Sequence, residues 1–237
     1  MENIANKVVL ITGGTKGIGY GVAEALMKEN AKVVITGRSK ASADEAAASL
    51  NRIGKGEAIG YAADVRKFAH QQKVVNEILK KWGTLDVLVA NAGVGYFSSI
   101  ETLTEDQWHE TIDTNLTGVF YSVKASLEAI KKSRGYIITM ASLAGINFFA
   151  GATAYNASKF GLVGFTQALM LDVRNYGVKT TTILPGSVST NFNNHQPTEK
   201  DAWKIQPEDL GQMVIDLLKM NPRTLPSKIE VRPSIPK

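Results

Sequence analysis

The chain has 237 residues, of which 44% are hydrophobic and 21% are charged, a composition typical of one globular α/β domain. We therefore predict a single domain over residues 1–237. The absence of cysteine excludes a disulfide framework and a thiolate nucleophile. The three histidines, His70, His109 and His195, are far apart in the sequence, so we predict no metal site.

Charge and hydropathy also restrict the location and the partners. The net charge is +5, but basic and acidic residues are interspersed, so we predict no nucleic-acid-binding surface. The densest basic group, Lys131, Lys132 and Arg134, is interpreted as a solvated helix end, with a docking patch as the alternative. No apolar run reaches the roughly 20 residues of a membrane helix. The first residues lack the features of a signal peptide, so we expect a cytoplasmic protein with no membrane partner.

Strand-like apolar runs alternate with helical patterns along the chain. Short continuous apolar runs between helices indicate strands that are buried on both faces, as in a parallel sheet. We therefore predict an α/β fold, with a doubly wound parallel sheet of about seven strands flanked by helices. The predicted strands cover residues 8–11, 32–35, 56–62, 86–90, 136–140, 178–184 and 228–231.

Three predicted helices carry start signals. Ser42 with Glu45 forms one predicted capping box, and Thr104 with Gln107 forms a second. Pro207, followed by two acidic residues, marks the start of a late helix, because proline has a preset φ and the acids favour the positive end of the helix dipole.

A glycine-rich segment lies between the first predicted strand and a helical pattern. Its residues are Thr12, Gly13, Gly14, Thr15, Lys16, Gly17, Ile18 and Gly19. Glycines in this position allow a sharp turn and close approach to a pyrophosphate, which the helix N-terminus attracts. The strand and helix context favours a phosphate-binding loop over a plain tight turn.

The spacing Gly13-x-x-x-Gly17-x-Gly19 resembles that of the short-chain dehydrogenase/reductase family, which implies a Rossmann-type fold with a nicotinamide cofactor. The second predicted strand leads into Arg38 and Ser39, with no acidic residue there to bind a ribose 2′-hydroxyl. A guanidinium at this position can pair with a 2′-phosphate instead. Lys16, one residue before the second loop glycine, matches the other basic position that the family associates with that phosphate. We therefore predict NADP(H) as the cofactor.

Further segments match cofactor-binding segments of the family. The resemblance implies that Asp64, beside Val65, contacts adenine; a helix-entry aspartate is the alternative. Asn91, Ala92 and Gly93 match a motif that shapes the cleft and stabilises the sheet. The segment after the sixth strand matches the one that holds the nicotinamide carboxamide, and its residues are Pro185, Gly186, Val188 and Thr190.

The predicted catalytic residues centre on Tyr155 and Lys159, whose spacing places a phenol and an ammonium on one helix face. Lowering a tyrosine pKa by about three units takes roughly 4 kcal/mol, which a nearby lysine and an oxidised nicotinamide could supply. In isolation this pair is an ordinary surface pair. Together with Ser142 and Asn115 it matches the family's catalytic set. The resemblance implies that Tyr155 is the acid and base, Ser142 orients the substrate oxygen, Lys159 holds the nicotinamide ribose and Asn115 holds a relay water.

These matches run in order from Thr12 to Thr190 and imply reversible hydride transfer between NADP(H) and a small carbonyl compound. The enzyme alternatives are a 3-oxoacyl-(acyl-carrier-protein) reductase of fatty-acid synthesis and a sugar or polyol dehydrogenase. A non-catalytic NADP(H)-sensing protein is the alternative from another class. Residues 228–233 depart from the glycine-rich ending of acyl reductases, so we favour a general ketone or aldehyde reductase.

The substrate and the assembly depend on less specific segments. Residues 96–97 and 145–149 supply aromatic surface for a hydrophobic ketone, or else pack as core. Residues 190–206 form the longest predicted loop, and long loops in compact domains are often functional. Because family members pair the helices that carry Asn115 and Tyr155, we expect a homodimer or homotetramer.

Overall fold

Seven parallel strands form one sheet in the order β3-β2-β1-β4-β5-β6-β7. The computed structural model describes residues 3–235. All residues of the three central strands β1, β4 and β5 are buried, because helices cover both faces of the sheet. The strands are β1 (Val8–Thr12), β2 (Lys32–Gly37), β3 (Glu57–Ala62), β4 (Val87–Ala90), β5 (Tyr136–Met140), β6 (Lys179–Pro185) and β7 (Lys228–Val231).

The helices lie in two layers, which confirms the predicted doubly wound α/β fold. Alternate residues of β1 enter two different cores: Val9 packs with α1, α2 and α7, and Leu10 packs with α3, α5 and α6. This alternation follows from the two-residue period of a strand. The α-helices are α1 (Gly17–Lys28), α2 (Lys40–Leu50), α3 (Phe68–Trp82), α4 (Glu105–Ile112), α5 (Gly118–Ser133), α6 (Thr153–Val173) and α7 (Pro207–Lys219). Among the residues that the structure describes, none of the helices could cross a membrane.

The strand order creates a crevice at one edge of the sheet. The chain runs outward from β1 to β3 and then returns to place β4 beside β1. Where the winding direction reverses, the connections after the two neighbouring strands diverge to opposite faces. The carboxyl ends of β1 and β4 therefore border an opening that a ligand can enter.

The helix starts agree with the predictions in two cases and differ in one. Thr104 and Gln107 form the predicted capping box of α4, and Pro207 is the first residue of α7. The predicted capping box at Ser42 is wrong, because α2 begins three residues earlier and Ser39 is its N-cap. The Ser39 hydroxyl accepts a hydrogen bond from the Ser42 amide at 3.5 Å.

Two segments have local structure that the sequence pattern did not predict. A π-helix, Asp113–Thr117, joins α4 to α5. The predicted loop 190–206 contains two short 3₁₀ turns, Phe192–Asn194 and Glu199–Asp201. Asp201 anchors this loop, since one carboxylate oxygen contacts the ring of His195 at 2.7 Å.

Candidate active site

A cleft of about 1980 Å³ lies at the carboxyl edge of the sheet. It brings together most of the residues predicted from the sequence, and three further ones, Thr12, Gly19 and Asn115, are buried behind it. Within residues 3–235 no cluster of three or more candidate ligands could hold a metal ion. The predicted residues that line the cleft are Gly13, Thr15, Lys16, Gly17, Ile18, Arg38, Ser39, Asp64, Val65, Asn91, Ala92, Gly93, Ser142, Tyr155, Lys159, Pro185, Gly186, Val188 and Thr190.

The glycine-rich loop packs so closely against the segment after β4 that larger side chains do not fit. Gly13 has a φ of +64°, and a Cβ on it would lie 2.8 Å from the Cα of Ala92. A Cβ on Gly19 would lie 2.5 Å from Nδ2 of Asn91. Both distances are far below van der Waals contact, so the loop requires glycine at these positions.

Asn91 fixes the backbone of this loop. Its Nδ2 donates to the carbonyl oxygens of Thr12 and Gly13, at 3.0 Å each. The backbone amides of Asn91 and Ala92 donate in turn to Oγ1 of Thr12, at 3.1 and 3.2 Å. Four hydrogen bonds, three to Thr12 and one to Gly13, therefore join this loop to the segment after β4, which supports the architectural role predicted for that motif.

The N-terminus of α1 is open toward the cleft. Its N-cap, Lys16, is extended and makes no side-chain capping hydrogen bond, and the first turn contains no acidic residue. The unpaired amides and the helix dipole at such an end favour an anion. Gly17 follows with a φ of +59°, and a Cβ on it would lie 3.4 Å from Thr190. The segment after β6 therefore meets the glycine-rich loop.

The basic residues predicted to recognise a 2′-phosphate lie on the cleft surface. Lys16 is exposed, and the side chain of Arg38 is 73% exposed. Nη1 of Arg38 lies 3.6 Å from Oε1 of Glu110 on α4. The other oxygen of Glu110 accepts a hydrogen bond from the Tyr96 hydroxyl. Arg38 therefore reaches an acidic partner across the cleft, a contact that its sequence position did not indicate.

Asp64 lies in the cleft after β3, but it is not the N-cap of the following helix, which is Lys67. The helix-entry alternative for Asp64 is therefore wrong. Its carboxylate accepts a bidentate hydrogen bond from Arg66, with Nη2 at 2.7 Å and Nε at 3.0 Å. This hydrogen bonding to Arg66 lowers the pKa of Asp64. The predicted contact of Asp64 with adenine stays a prediction.

Tyr155 and Lys159 lie one turn apart on α6, beside Ser142 after β5. Nζ of Lys159 donates to the carbonyl oxygen of Met140 at 2.9 Å and lies 5.7 Å from the centre of the Tyr155 ring. Burial raises the pKa of Tyr155, and a hydrogen bond with Ser142 lowers it by less. Burial also lowers the pKa of Lys159 to about 8. Desolvation is the larger of the two causes, so the net shift of the Tyr155 pKa is upward. The lowering expected from Lys159 together with an oxidised nicotinamide stays a prediction.

Asn115 is fully buried in the π-helix between α4 and α5. Its Oδ1 accepts from the amide of Val94 at 2.8 Å, and its Nδ2 donates to the carbonyl of Val94 and to the hydroxyl of Ser158. A Cβ built on Gly93 would lie 3.3 Å from Oδ1 of Asn115 and 3.7 Å from Nζ of Lys159. Asn115 and Lys159 therefore face the same backbone segment.

The comparison with known proteins identifies the family. The sequence model described as short chain dehydrogenase matches residues 7–201. This chain belongs to that family. It is therefore an oxidoreductase of the short-chain dehydrogenase/reductase type, as predicted.

Three similar proteins illustrate the range of the family. A trans-4-hydroxycyclohexanecarboxylate dehydrogenase of Sinomonas cyclohexanicum is 36% identical over 194 residues, which cover 80% of this chain and 75% of that protein. A 3-oxoacyl-(acyl-carrier-protein) reductase of Vibrio harveyi is 35% identical over 212 residues, covering 89% and 85%. The solved structure of an alcohol dehydrogenase from the archaeon Thermococcus sibiricus, complexed with 5-hydroxy-NADP, has a TM-score of 0.91 and 28% identity, and the match covers 98% of each chain.

Among the residues that line the cleft without having been selected from the sequence are Arg66, Glu110 and Phe192. Glu110 belongs to the amphipathic helix α4. It was not selected because an acidic residue on such a helix is expected to lie on the solvated face. Phe192 belongs to the loop 190–206. Because this loop has no helical or strand-like hydrophobic periodicity, the sequence does not indicate which way its side chains face. For Arg66, the sequence offered one indication that it could lie in the cleft, namely its position two residues after Asp64.

Proposed function

We propose that this protein is an NADP(H)-dependent oxidoreductase that reduces a ketone or aldehyde to an alcohol, in a reversible reaction. The observation that carries the proposal is that Tyr155, Ser142 and Lys159 line the same cleft as the glycine-rich loop. In reduction Tyr155 acts as the general acid, and in oxidation it acts as the general base.

The cleft residues fit a dinucleotide that carries a 2′-phosphate. The uncapped start of α1 lines the cleft at Gly17 and Ile18, where it would attract a pyrophosphate. Arg38 and Lys16, both exposed on the cleft, would pair with the 2′-phosphate. When bound, NADPH supplies the hydride that reduces the carbonyl carbon. The NADP derivative in the similar archaeal structure supports this assignment.

The side chains would control the proton and the orientation of the substrate. Because burial raises the pKa of Tyr155, its phenol is protonated at neutral pH, the form that donates a proton to the substrate oxygen. The Ser142 hydroxyl would orient that oxygen. Lys159 would hold the nicotinamide ribose, and Asn115 would keep a water in the path that returns a proton to Tyr155.

The proposal is tested by initial rates of NADPH and NADH oxidation with an aromatic ketone, a vicinal diketone, a keto sugar and an acetoacetyl thioester. We expect a preference for NADPH, and Tyr155→Phe should abolish turnover while NADPH binding, measured by fluorescence titration, stays nearly unchanged. Retained turnover in Tyr155→Phe would exclude Tyr155 as the acid. A preference for NADH would exclude the role given to Arg38 and Lys16.

The same rates separate the alternatives. The fastest reaction with the thioester would support the acyl-carrier-protein reductase, which the similarity to the Vibrio harveyi enzyme favours. A keto sugar as the best substrate would support a polyol dehydrogenase. NADPH binding without turnover of any carbonyl would support the NADP(H)-sensing protein, although a pure binder has no need of the complete set Asn115, Ser142, Tyr155 and Lys159.

We also propose a homodimer or homotetramer assembled through α5 and α6. Both helices expose large apolar side chains, with Phe120 45%, Phe160 43% and Leu171 53% exposed. Gly164, one turn after Phe160, has open space above it that a partner helix could fill. Light scattering should show more than one chain per particle, and Phe120→Glu should shift the mass toward a monomer; a monomeric wild type would refute the proposal. The cytoplasmic location and the single-domain organisation stay predictions from the sequence.

A further inference from the structure

Three phenylalanine rings form a group at the catalytic end of the cleft, in which Phe97 and Phe192 contact the ring of Tyr155 and Phe149 contacts Phe97. They come from separate segments: Phe97 follows β4, Phe149 follows β5 and Phe192 follows β6. The ring centre of Phe97 lies 5.4 Å from that of Tyr155, 6.4 Å from that of Phe192 and 6.1 Å from that of Phe149. Phe192 lies 5.8 Å from Tyr155. We call Phe97, Phe149 and Phe192 the phenylalanine triad.

The triad leaves much of its apolar surface open to the cleft. Phe97 is 44% exposed, Phe149 51% and Phe192 36%. Scattered exposed apolar residues are ordinary, but a contiguous group inside a cleft marks a surface that an apolar ligand covers. The neighbouring Phe148 is 86% exposed and is not among the residues that line the cleft. It therefore provides a matched control of the same residue type.

The backbone beside Phe192 holds its ring against the cleft wall. A Cβ built on Gly95 would lie 2.6 Å from Cζ of Phe192, so the ring packs directly on the glycine backbone. The amide of Phe192 donates to Oγ1 of Thr190 at 3.3 Å, which ties the ring to the segment beside the phosphate-binding loop. These contacts fix Phe192 as one wall of the substrate site.

Apart from the buried Lys159, whose Nζ donates to the carbonyl oxygen of Met140, three basic groups that line the cleft have acidic partners. Nε2 of His195 lies 2.7 Å from Asp201, which also pairs with Lys204. Nη2 of Arg232 lies 3.1 Å from Glu230. A carboxylate or phosphate on the substrate would have to compete with these acids for its counter-ion. The electrostatics therefore favour an uncharged substrate.

From these observations we propose that the substrate is an uncharged ketone or aldehyde with an aromatic ring next to its carbonyl group. The ring packs against the triad, while the carbonyl oxygen faces Tyr155. The carbonyl carbon would gain the hydride that NADPH supplies and the oxygen would gain a proton from Tyr155, which gives the benzylic alcohol and NADP⁺, and Tyr155 would regain its proton from solvent. This inference rests on the proposed function and adds the substrate class to it.

The test compares the kcat/KM for acetophenone with that for butane-2,3-dione, a small diketone with no ring, in each protein variant. Because the same two substrates are used throughout, their intrinsic reactivities cancel. Removing one aromatic partner in Phe97→Leu or Phe192→Leu should lower the ratio of acetophenone to diketone by about 2- to 12-fold. Phe148→Leu should leave the ratio unchanged. Circular dichroism melting curves check that each variant is folded.

Two further substrates extend the test, one in Phe192→Leu and one in the wild-type enzyme. Cyclohexyl methyl ketone has a similar size but no planar ring, so Phe192→Leu should lower its kcat/KM less than that for acetophenone. 4-Acetylbenzoate adds a carboxylate to acetophenone, and the wild type should reduce it more slowly.

The outcomes distinguish this inference from the proposed function. If NADPH is oxidised with none of these carbonyls, the proposed function itself fails. If the diketone is reduced but the acetophenone ratio is the same in wild type, Phe97→Leu and Phe192→Leu, the aromatic substrate class is overturned while the reductase stands. Faster reduction of 4-acetylbenzoate than of acetophenone would overturn the preference for an uncharged substrate.

Discussion

The contact between Arg38 and Glu110 makes a quantitative prediction about cofactor binding. The two groups are 3.6 Å apart, and the side chain of Arg38 is 73% exposed. In the proposed complex the 2′-phosphate would compete with Glu110 for the guanidinium of Arg38, and the two anions would repel each other. Replacing Glu110 by Gln removes that competing charge but keeps an oxygen that can accept from the Tyr96 hydroxyl. Glu110→Gln should therefore bind NADPH more tightly than the wild type.

The size of the effect follows from the exposure of the pair. Exposed ion pairs contribute about 0.2 to 1 kcal/mol. If Glu110→Gln removes a competing pair of this strength, its Kd for NADPH should be about 1.4- to 5-fold lower than that of the wild type. Losing the guanidinium itself is more costly. Hydrogen bonds to charged groups contribute about 1.5 to 3 kcal/mol, so Arg38→Ala should raise the Kd for NADPH by about 12- to 160-fold. NADH has no 2′-phosphate, and its Kd should change little in either variant.

Fluorescence titration at low ionic strength measures both dissociation constants, and Tyr96→Phe is the control because it leaves the charge of Glu110 in place. The double variant Arg38→Ala with Glu110→Gln should bind NADPH no better than Arg38→Ala, because the benefit of removing Glu110 acts through Arg38. Equal tightening of NADPH and NADH in Glu110→Gln would refute the competition, as would tightening that persists without Arg38.

Three further predictions concern stability. Between about pH 8 and 10.5 the unfolded chain binds more protons at Lys159 than the folded chain does. The wild type should therefore gain stability relative to Lys159→Met as the pH rises through this range, by on the order of 3 kcal/mol, with no such change below pH 8. Urea unfolding at each pH measures the difference in the free energy of unfolding, and a difference that does not vary with pH would contradict a buried lysine. Gly19→Ala should lower the free energy of unfolding by about 1 to 3 kcal/mol and weaken NADPH binding, because its methyl group overlaps Asn91; an unchanged urea midpoint would be incompatible with this packing. Thr104→Ala should cost about 1 kcal/mol by removing the cap of α4, whereas Thr104→Ser should cost much less; equal losses in urea unfolding would argue against the cap.

Much of the fold could be predicted because each strand is short, apolar and separated from the next by a helical pattern. The exact start of α2 could not. Both Ser39 and Ser42 are suitable N-caps, and the sequence favoured Ser42 because Glu45 completes a capping box. In the fold, α2 begins directly after the end of β2, so the chain turns into the helix at Ser39. The short connection between β2 and α2 therefore determines the start of the helix, and the capping-box preference for Ser42 does not.

The candidate site was predictable where a residue follows the end of a strand, as Asn91 and Ser142 do. Such residues converge because all strands are parallel and their carboxyl ends meet at one edge of the sheet. Glu110 and Phe192 were not predictable in this way. Glu110 faces the cleft only because α4 lies across from the end of β2, and Phe192 depends on the path of a long loop. Both positions are consequences of tertiary packing.

The ionisation of Tyr155 and Lys159 shows most clearly what the sequence leaves undetermined. Their spacing predicts that they share a helix face, and it led to the expectation that the lysine charge lowers the pKa of the phenol. In the fold both groups are buried, and burial favours the neutral form of each: it raises the pKa of Tyr155 and lowers that of Lys159 to about 8. Burial therefore keeps the phenol protonated, which is the form that the proposed reduction requires. In oxidation the phenol must first lose this proton, so the reverse reaction should depend more strongly on pH.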